Sequence, residues 1–440
     1  MAACGIPMAY FAGFLRIHRS HPFAGTTMNR VRHPLCLALA TALLVTLPAS
    51  SAPSAGPPTQ VWIDVATHSM AGMPDLGMMG GLANRMMGGK GPQGYPQSRN
   101  IPASMGKVLD IAMYNSLRPG VPAEQFVPAG LAVGKSLPLL PPLPGSRTDE
   151  RSSGKVEDVE VTIRQYWGCG AAIGPGQPKV MTLRVKNGAM QATGSLAPGL
   201  FVPDRDIDVN PNYALWPNQK NSKQVSDRSS MAGQHRIVGD GVPASLQFEL
   251  GNNADFMPKI ALDSKGELAD SIQLQWQPVD RARGYFLHAL AMQDERNFVV
   301  WSSADVAGAG MELINYLPGS NIEKWLRQKV LLAPATTRCA IPQGIFKPTG
   351  KPENGGMAAL NMIAYGPETN ITWPERPADP KQPWKPEWSV RVRTKATTTA
   401  MLGTDLSGMS SDSDVPQTEQ QPGEKEGKGK KLLRGLLRGL

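Results

Sequence analysis

The densest set of soft ligands in this chain is Met70, Met73, Met78, Met79, Met86 and Met87, with His68 beside them. Thioether sulfur suits Cu(I), so the run is a candidate metal-handling segment. Its Gly-rich surroundings give a structureless linker as the alternative expectation. Asp204, Asp206, Asp208 and Asn210 alternate oxygen ligands as calcium loops do, but Val209 and Leu215 stand where such a loop needs Gly and a carboxylate. A solvated loop is expected there. Gly168-Cys-Gly170-Ala-Ala-Ile-Gly174 superficially resembles a phosphate loop, but its third glycine is one place late and a strand pattern follows it instead of a helix, so a hairpin turn is expected.

Catalytic constellations are scarce. Beyond residue 51 the histidines are His68, His235 and His288, and neither H-E-x-x-H nor G-x-S-x-G occurs. No cofactor fingerprint is present and none is expected. The function class that fits is a non-enzymatic binding or structural protein; copper handling and an unrecognised periplasmic hydrolase are the alternatives.

Three indoles, Trp373, Trp384 and Trp388, lie among prolines within a short span. Rigid extended segments of this kind stack on sugar faces or seat a partner chain, or else pack down as a lid on the fold. Near the end, Lys431-Leu432-Leu433-Arg434 and Leu436-Leu437-Arg438 set leucines on one helical face and cations opposite. This suits an anionic membrane surface or a partner's groove, or else it is a frayed basic tail.

An apolar run, Leu35 to Leu47, follows Arg30 and Arg32 and precedes the small residues Ala49-Ser-Ser51. It is too short to span a bilayer and has the three parts of a secretory signal, so the protein is expected to be periplasmic or secreted. Met28 is the expected start, with residues 1–27 as an extension. The formal charge of +9 falls to +5 on losing residues 1–51, which carry four arginines and no acidic residue. That balance implies solubility and no nucleic-acid footprint. The same cleavage leaves Cys169 and Cys339 as the only cysteines. They form a disulfide, which export permits, or pack as two buried thiols.

The elements that position these residues are short. Gly 46 and Pro 40 make the chain turn-rich. Period-two alternation marks strands at Val61/Ile63/Val65, Leu109/Ile111/Met113, Val161/Ile163/Trp167, Met181/Leu183/Val185, Leu246/Phe248/Leu250 and Ile272/Leu274/Trp276. One apolar and one polar face per strand predicts antiparallel β-sandwich modules, one face to the core and one to water. Ser320-Asn-Ile-Glu323 has capping-box spacing ahead of Ile322, Trp325, Leu326 and Val330, which predicts one inserted helix. The fold class is therefore mainly β, with disordered linkers and tail. The expected division is a start extension and signal peptide (1–51), a short β segment with a Gly/Met-rich linker (52–145), a first β-sandwich module (156–262), a second (268–402) and a tail (403–440).

Ile272-Gln-Leu-Gln-Trp276, the turn holding Ala282 and Gly284, and Tyr285 together resemble the second and third strands of fibronectin type III domains. Leu360 to Gly366 and Trp388 to Arg393 are similar to their late strands. The resemblance covers about 270–300 and 357–395 and implies a binding or spacing module without catalytic residues. The helical region inserted at 310–334 departs from that family.

Overall fold

In the computed structural model the residues described are 56–72, 94–99, 105–143, 159–186, 189–203, 205–349 and 356–403. The alternating segments are strands, as their periodicity requires. In chain order they are β1 (Thr59–Met70), β2 (Gly106–Asn115), β3 (Ala123–Phe126), β4 (Ser136–Leu139), β5 (Val159–Trp167) and β6 (Lys179–Lys186). There follow β7 (Ala189–Gly194), β8 (Tyr213–Trp216), β9 (Gly233–Gly239), β10 (Gln247–Leu250), β11 (Leu262–Lys265) and β12 (Ile272–Trp276). The chain continues through β13 (Gly284–Met292), β14 (Asn297–Ser302), helix α1 (Gly319–Arg327), β15 (Arg338–Ile341), β16 (Met357–Trp373) and β17 (Trp388–Leu402). The class is mainly β with one α-helix among the described residues.

A ten-stranded sheet, ordered β7-β6-β5-β14-β13-β16-β17-β1-β2-β8, is the spine of the molecule. Two small sheets cover one of its faces. The four-stranded β10-β9-β3-β4 sheet meets β1, β2 and β17 over a core of Ile63, Ile111, Leu137, Ile237 and Trp388. The three-stranded β11-β12-β15 sheet meets β13, β14, β16 and β17 over Trp276, Tyr285, Trp301 and Leu360. On the opposite face, Phe286 of β13 and Ile363 and Tyr365 of β16 pack under Leu313, Leu317, Ile322 and Trp325. Apolar side chains thus alternate between two cores along the same strands, which is why β13 is buried at nearly every position.

Three expectations change here. The segments drawn at 52–145, 156–262 and 268–402 are separate along the chain but not in space: strands from each enter the one large sheet. Most pairings are antiparallel, but β1 pairs in parallel with β17 and β14 with β5, because strands far apart in sequence meet as neighbours without a hairpin. The helix buries Ile322 and Trp325 as its stripe predicts, yet the capping box does not form. Pro318 occupies the N-cap without a side-chain bond, and Glu323 instead pairs with Arg283 at 3.1 Å. Lys329, with φ 55°, then ends the run in the left-handed region.

Trp276 and Tyr285, the pair that carries the fibronectin-like resemblance, face each other across two sheets with ring centroids 5.6 Å apart. The Tyr285 hydroxyl accepts the Val279 N–H at 3.0 Å, fixing the intervening turn. Cys169, just beyond β5, and Cys339 on β15 are joined by a disulfide, Cα atoms 5.1 Å apart, which staples the end of a large-sheet strand to the three-stranded sheet.

Candidate functional site

The side of the large sheet away from the two small sheets carries charges where water was expected. Register places Asp110 of β2, Asp64 of β1, Arg393 of β17 and Glu368 of β16 in one row across four strands. One step along β17, Lys395 stands beside Ala66 and Tyr365; two steps along, Thr397 stands beside His68. Segments 94–99, 205–208 and 312–316 lie over this row and supply Arg99, Asp206, Asn315 and Tyr316.

Two arginines and two carboxylates close into a ring. Arg393 grips Asp64 with Nε to Oδ1 at 2.7 Å and Nη2 to Oδ2 at 2.6 Å, and reaches Asp206 at 2.8 Å. Arg99 meets Asp64 at 3.0 Å and Asp206 at 3.1 Å. Asp206 also accepts the Asn315 amide at 3.1 Å. Burial alone would raise the Asp64 carboxyl, but Arg393 and Arg99 hold it down to about 2. Such a ring is worth little net stability against an apolar replacement, yet breaking it strands a buried charge.

Lys395 is 0 % exposed. Its Nζ reaches the Asn315 Oδ1 at 3.4 Å and lies 4.4 Å from the centre of the Tyr316 ring, which the Arg393 guanidinium also approaches at 4.4 Å. Burial drives this ammonium down to about 7; Asp64 pulls it back up, and Arg393 and Arg99 push it further down. Arg391, two residues before Arg393 on the same face, donates to the Arg205 carbonyl at 2.8 Å and is lowered to about 10, by burial first and then by Arg393. Asp110 is raised to about 6 by burial, against the N–H groups of Gln97 and Ser98 that it accepts at 2.7–2.9 Å. Beside the ring opens a cleft of about 220 Å³ whose lining includes Arg205, Asp206, Glu312, Asn315 and Tyr316.

The residues singled out in the sequence fall elsewhere. Trp388 is 2 % exposed and packs in the core against Phe248, its indole N–H on Ser245 at 3.2 Å, so it presents no face to a glycan or partner. Trp373 remains 47 % exposed, and Trp384 donates to the Pro374 carbonyl at 2.9 Å under the Arg376 guanidinium. His68 is buried with Nδ1 2.7 Å from the Thr397 hydroxyl, and burial followed by Lys395 lowers it to about 3. Met70 ends β1; Met73, Met78, Met79, Met86 and Met87 lie outside the described residues, as do Lys431 to Arg438 and the signal segment. Among the described residues no three His, Cys, Asp or Glu side chains gather as metal ligands, and no helix is long and apolar enough to cross a membrane.

Asp206 of the alternating acidic run is committed to two arginines, and Asn210 caps its own turn by accepting the Asn212 N–H at 3.0 Å. The Gly168–Gly174 stretch is the turn between antiparallel β5 and β6, buttressed by the Gln177 side chain on both backbone groups of Trp167. His235 stacks on Phe248 and contacts Gln125 and the Met231 carbonyl, and His288 is buried with no carboxylate beside it among the described residues. The charged ring escaped the sequence reading altogether. Its one sequence signal is Arg391-x-Arg393-x-Lys395 interleaved with Val390 and Val392, three cations on one face of a strand that has no carboxylate.

A second surface stands apart. Strands β5, β6 and β7 continue the large sheet as a wing whose last strand is exposed at every residue. Ile163, Met181, Leu183, Val185 and Met190 share one face, Met190 being 69 % exposed, and belong to none of the four buried clusters. β7, Ala-Met-Gln-Ala-Thr-Gly, has no charge and no proline to guard its outer edge, which no strand among the described residues pairs. At the other rim the edge of β8 is closed by pairing of Leu215 with Leu140.

Compared with family models, with curated proteins and with solved structures, the chain matches none.

Proposed function

We infer that this chain is an exported, envelope-associated protein that binds or positions a partner and performs no chemistry of its own. The wing carries this reading. An unguarded strand edge beside a row of half-buried apolar side chains accepts an extended segment with alternating apolar residues: its backbone pairs with β7, and its side chains extend the Ile163–Met181 and Val185–Met190 rows. The staple between Cys169 and Cys339 supports an oxidising compartment. The charged ring supports binding over catalysis, because both of its carboxylates, Asp64 and Asp206, are each held by Arg99 and Arg393 together.

The test is fractionation of cells producing the full chain beside Met190→Lys and Ala192→Lys, which point charges from the edge strand. The full chain is expected in the envelope fraction and both variants in the soluble periplasmic fraction. Recovery in the cytoplasm with reduced cysteines, or unaltered envelope association of both variants, overturns the proposal.

A further inference from the structure

Among the described residues, each outer strand of the three sheets carries a guard against a further strand except β7. In the four-stranded sheet β4 holds Pro138 and β10 holds Glu249. In the three-stranded sheet β11 holds Asp263 and Lys265, and the outer side of β15 is met by Gly170, whose N–H reaches the Ala340 carbonyl at 2.8 Å. At the far rim of the spine, Leu140 and Leu215 exchange backbone hydrogen bonds of 3.1 and 2.8 Å over β8. β7 is exposed at every residue and uncharged, and Arg184, which stands beside Gln191, is turned back onto Glu160 at 2.6 Å.

β7 is also the kind of segment that its own edge accepts. It is extended, and Met190 and Ala192 alternate with Gln191 and Thr193. We propose that the occupant of this edge is a second copy of the chain, its β7 running antiparallel to the first about a two-fold axis at Gln191. Residues opposed across an antiparallel seam share a face, so such an axis passes through a residue that faces itself. An axis at Gln191 keeps the paired stretch, Ala189 to Thr193, inside the regular strand. One at Ala192 draws in Gly194, whose φ of 74° ends the extension, and one at Met190 shortens the pairing to Ala189–Gln191. With the axis at Gln191 the two amides meet, and each Met190 lies over the small Ala192 of the other copy. The Leu183–Ala192 and Val185–Met190 rows then continue across the seam without a charge. Because β8 is covered, the spine has no second bare edge for a head-to-tail contact, and the pairing closes at two copies instead of growing into a fibre. This occupant rests on the reading of the wing as a binding surface. The seam is short, which places the dimer in the weak class, half-formed at about 10–100 μM.

Sedimentation of the full chain from about 1 μM to about 1 mM tests this. The expected record is monomer passing to dimer with no larger species. Met190→Lys sets like charges diagonally across the seam and weakens the dimer by about tenfold or more, as does Met190→Glu, and an equimolar mixture of the two variants restores it. On mild oxidation Gln191→Cys gives a covalent dimer that the parent does not form, since the residue faces itself, whereas Thr193→Cys, which faces Ala189, does not. Monomer throughout, assembly beyond the dimer, a dimer indifferent to Met190→Lys, no restoration on mixing, or Thr193→Cys linking as fast as Gln191→Cys overturns the proposal. A chain that stays monomeric yet loses envelope association on Met190→Lys removes this inference alone and leaves the wing as the site of a different partner.

Discussion

Replacing Lys395 by Met should make the protein more stable below neutral pH and flatten its response to alkali. Folding lowers this group from its ordinary 10.5 to about 7, so between those values the unfolded chain carries a proton that the folded chain lacks. Stability therefore rises with pH through that window, and below it the whole penalty of burying the charge is present. The interval corresponds to a penalty of about 5 kcal/mol. Methionine matches the lysine stem in length and adapts to the space. Loss of the contacts to Asn315 and Tyr316 returns about 2 kcal/mol, leaving a net gain of about 3 kcal/mol. Asn315 Oδ1 is not orphaned, since it keeps the Tyr316 N–H at 2.8 Å. Urea denaturation of both proteins across pH gives the profiles. The parent should gain up to about 1.4 kcal/mol per pH unit above 7 relative to the variant. Parallel profiles, or a variant weaker than the parent in acid, would show that Lys395 is charged at no cost and that burial does not depress it.

Two further substitutions probe the scaffold. Asp64→Ala leaves Arg393 and Arg99 facing each other in the interior and should cost about 3–5 kcal/mol in the same denaturation assay; a loss under about 1 kcal/mol would mean that Asp206 suffices for both. Cys339→Ser opens a closure of 170 residues and should lower stability by about 5 kcal/mol on the chain-entropy account, with no further loss on adding a reductant; sensitivity to reductant persisting in this variant would place the redox-labile bond elsewhere.

Strand positions were legible because alternation is a local property: Val61, Ile63 and Val65 state which side of β1 meets apolar neighbours. What alternation leaves open is the nature of the other side. Asp64, His68 and Asp110 read as water-facing, yet the segments around Arg99, Asp206 and Tyr316 cover them. No local pattern announces that cover, since Asp64 and Arg393 are 329 residues apart and meet only because β1 and β17 run in parallel. The helix was found from its stripe and its cap misread for the same kind of reason. Glu323 had a stronger partner in Arg283, which spacing within the helix cannot reveal. The prolines around Trp388 left a ligand-facing indole and one packed on the fold both open, and the strand it begins carries it into the core.

The adjacency of β1 and β17 has a bearing on how the chain comes to be folded at all. Residues 388–402 are needed before β1 acquires its second neighbour, and until then Asp64 has no Arg393 to meet and the centre of the spine is missing. A polypeptide still lacking β17 therefore has no finished middle to collapse onto, and the long-range closure that completes it is slow. The spine stays open until β17 has been made, and a variant truncated before β17 should emerge as prey for proteases instead of as a smaller stable domain.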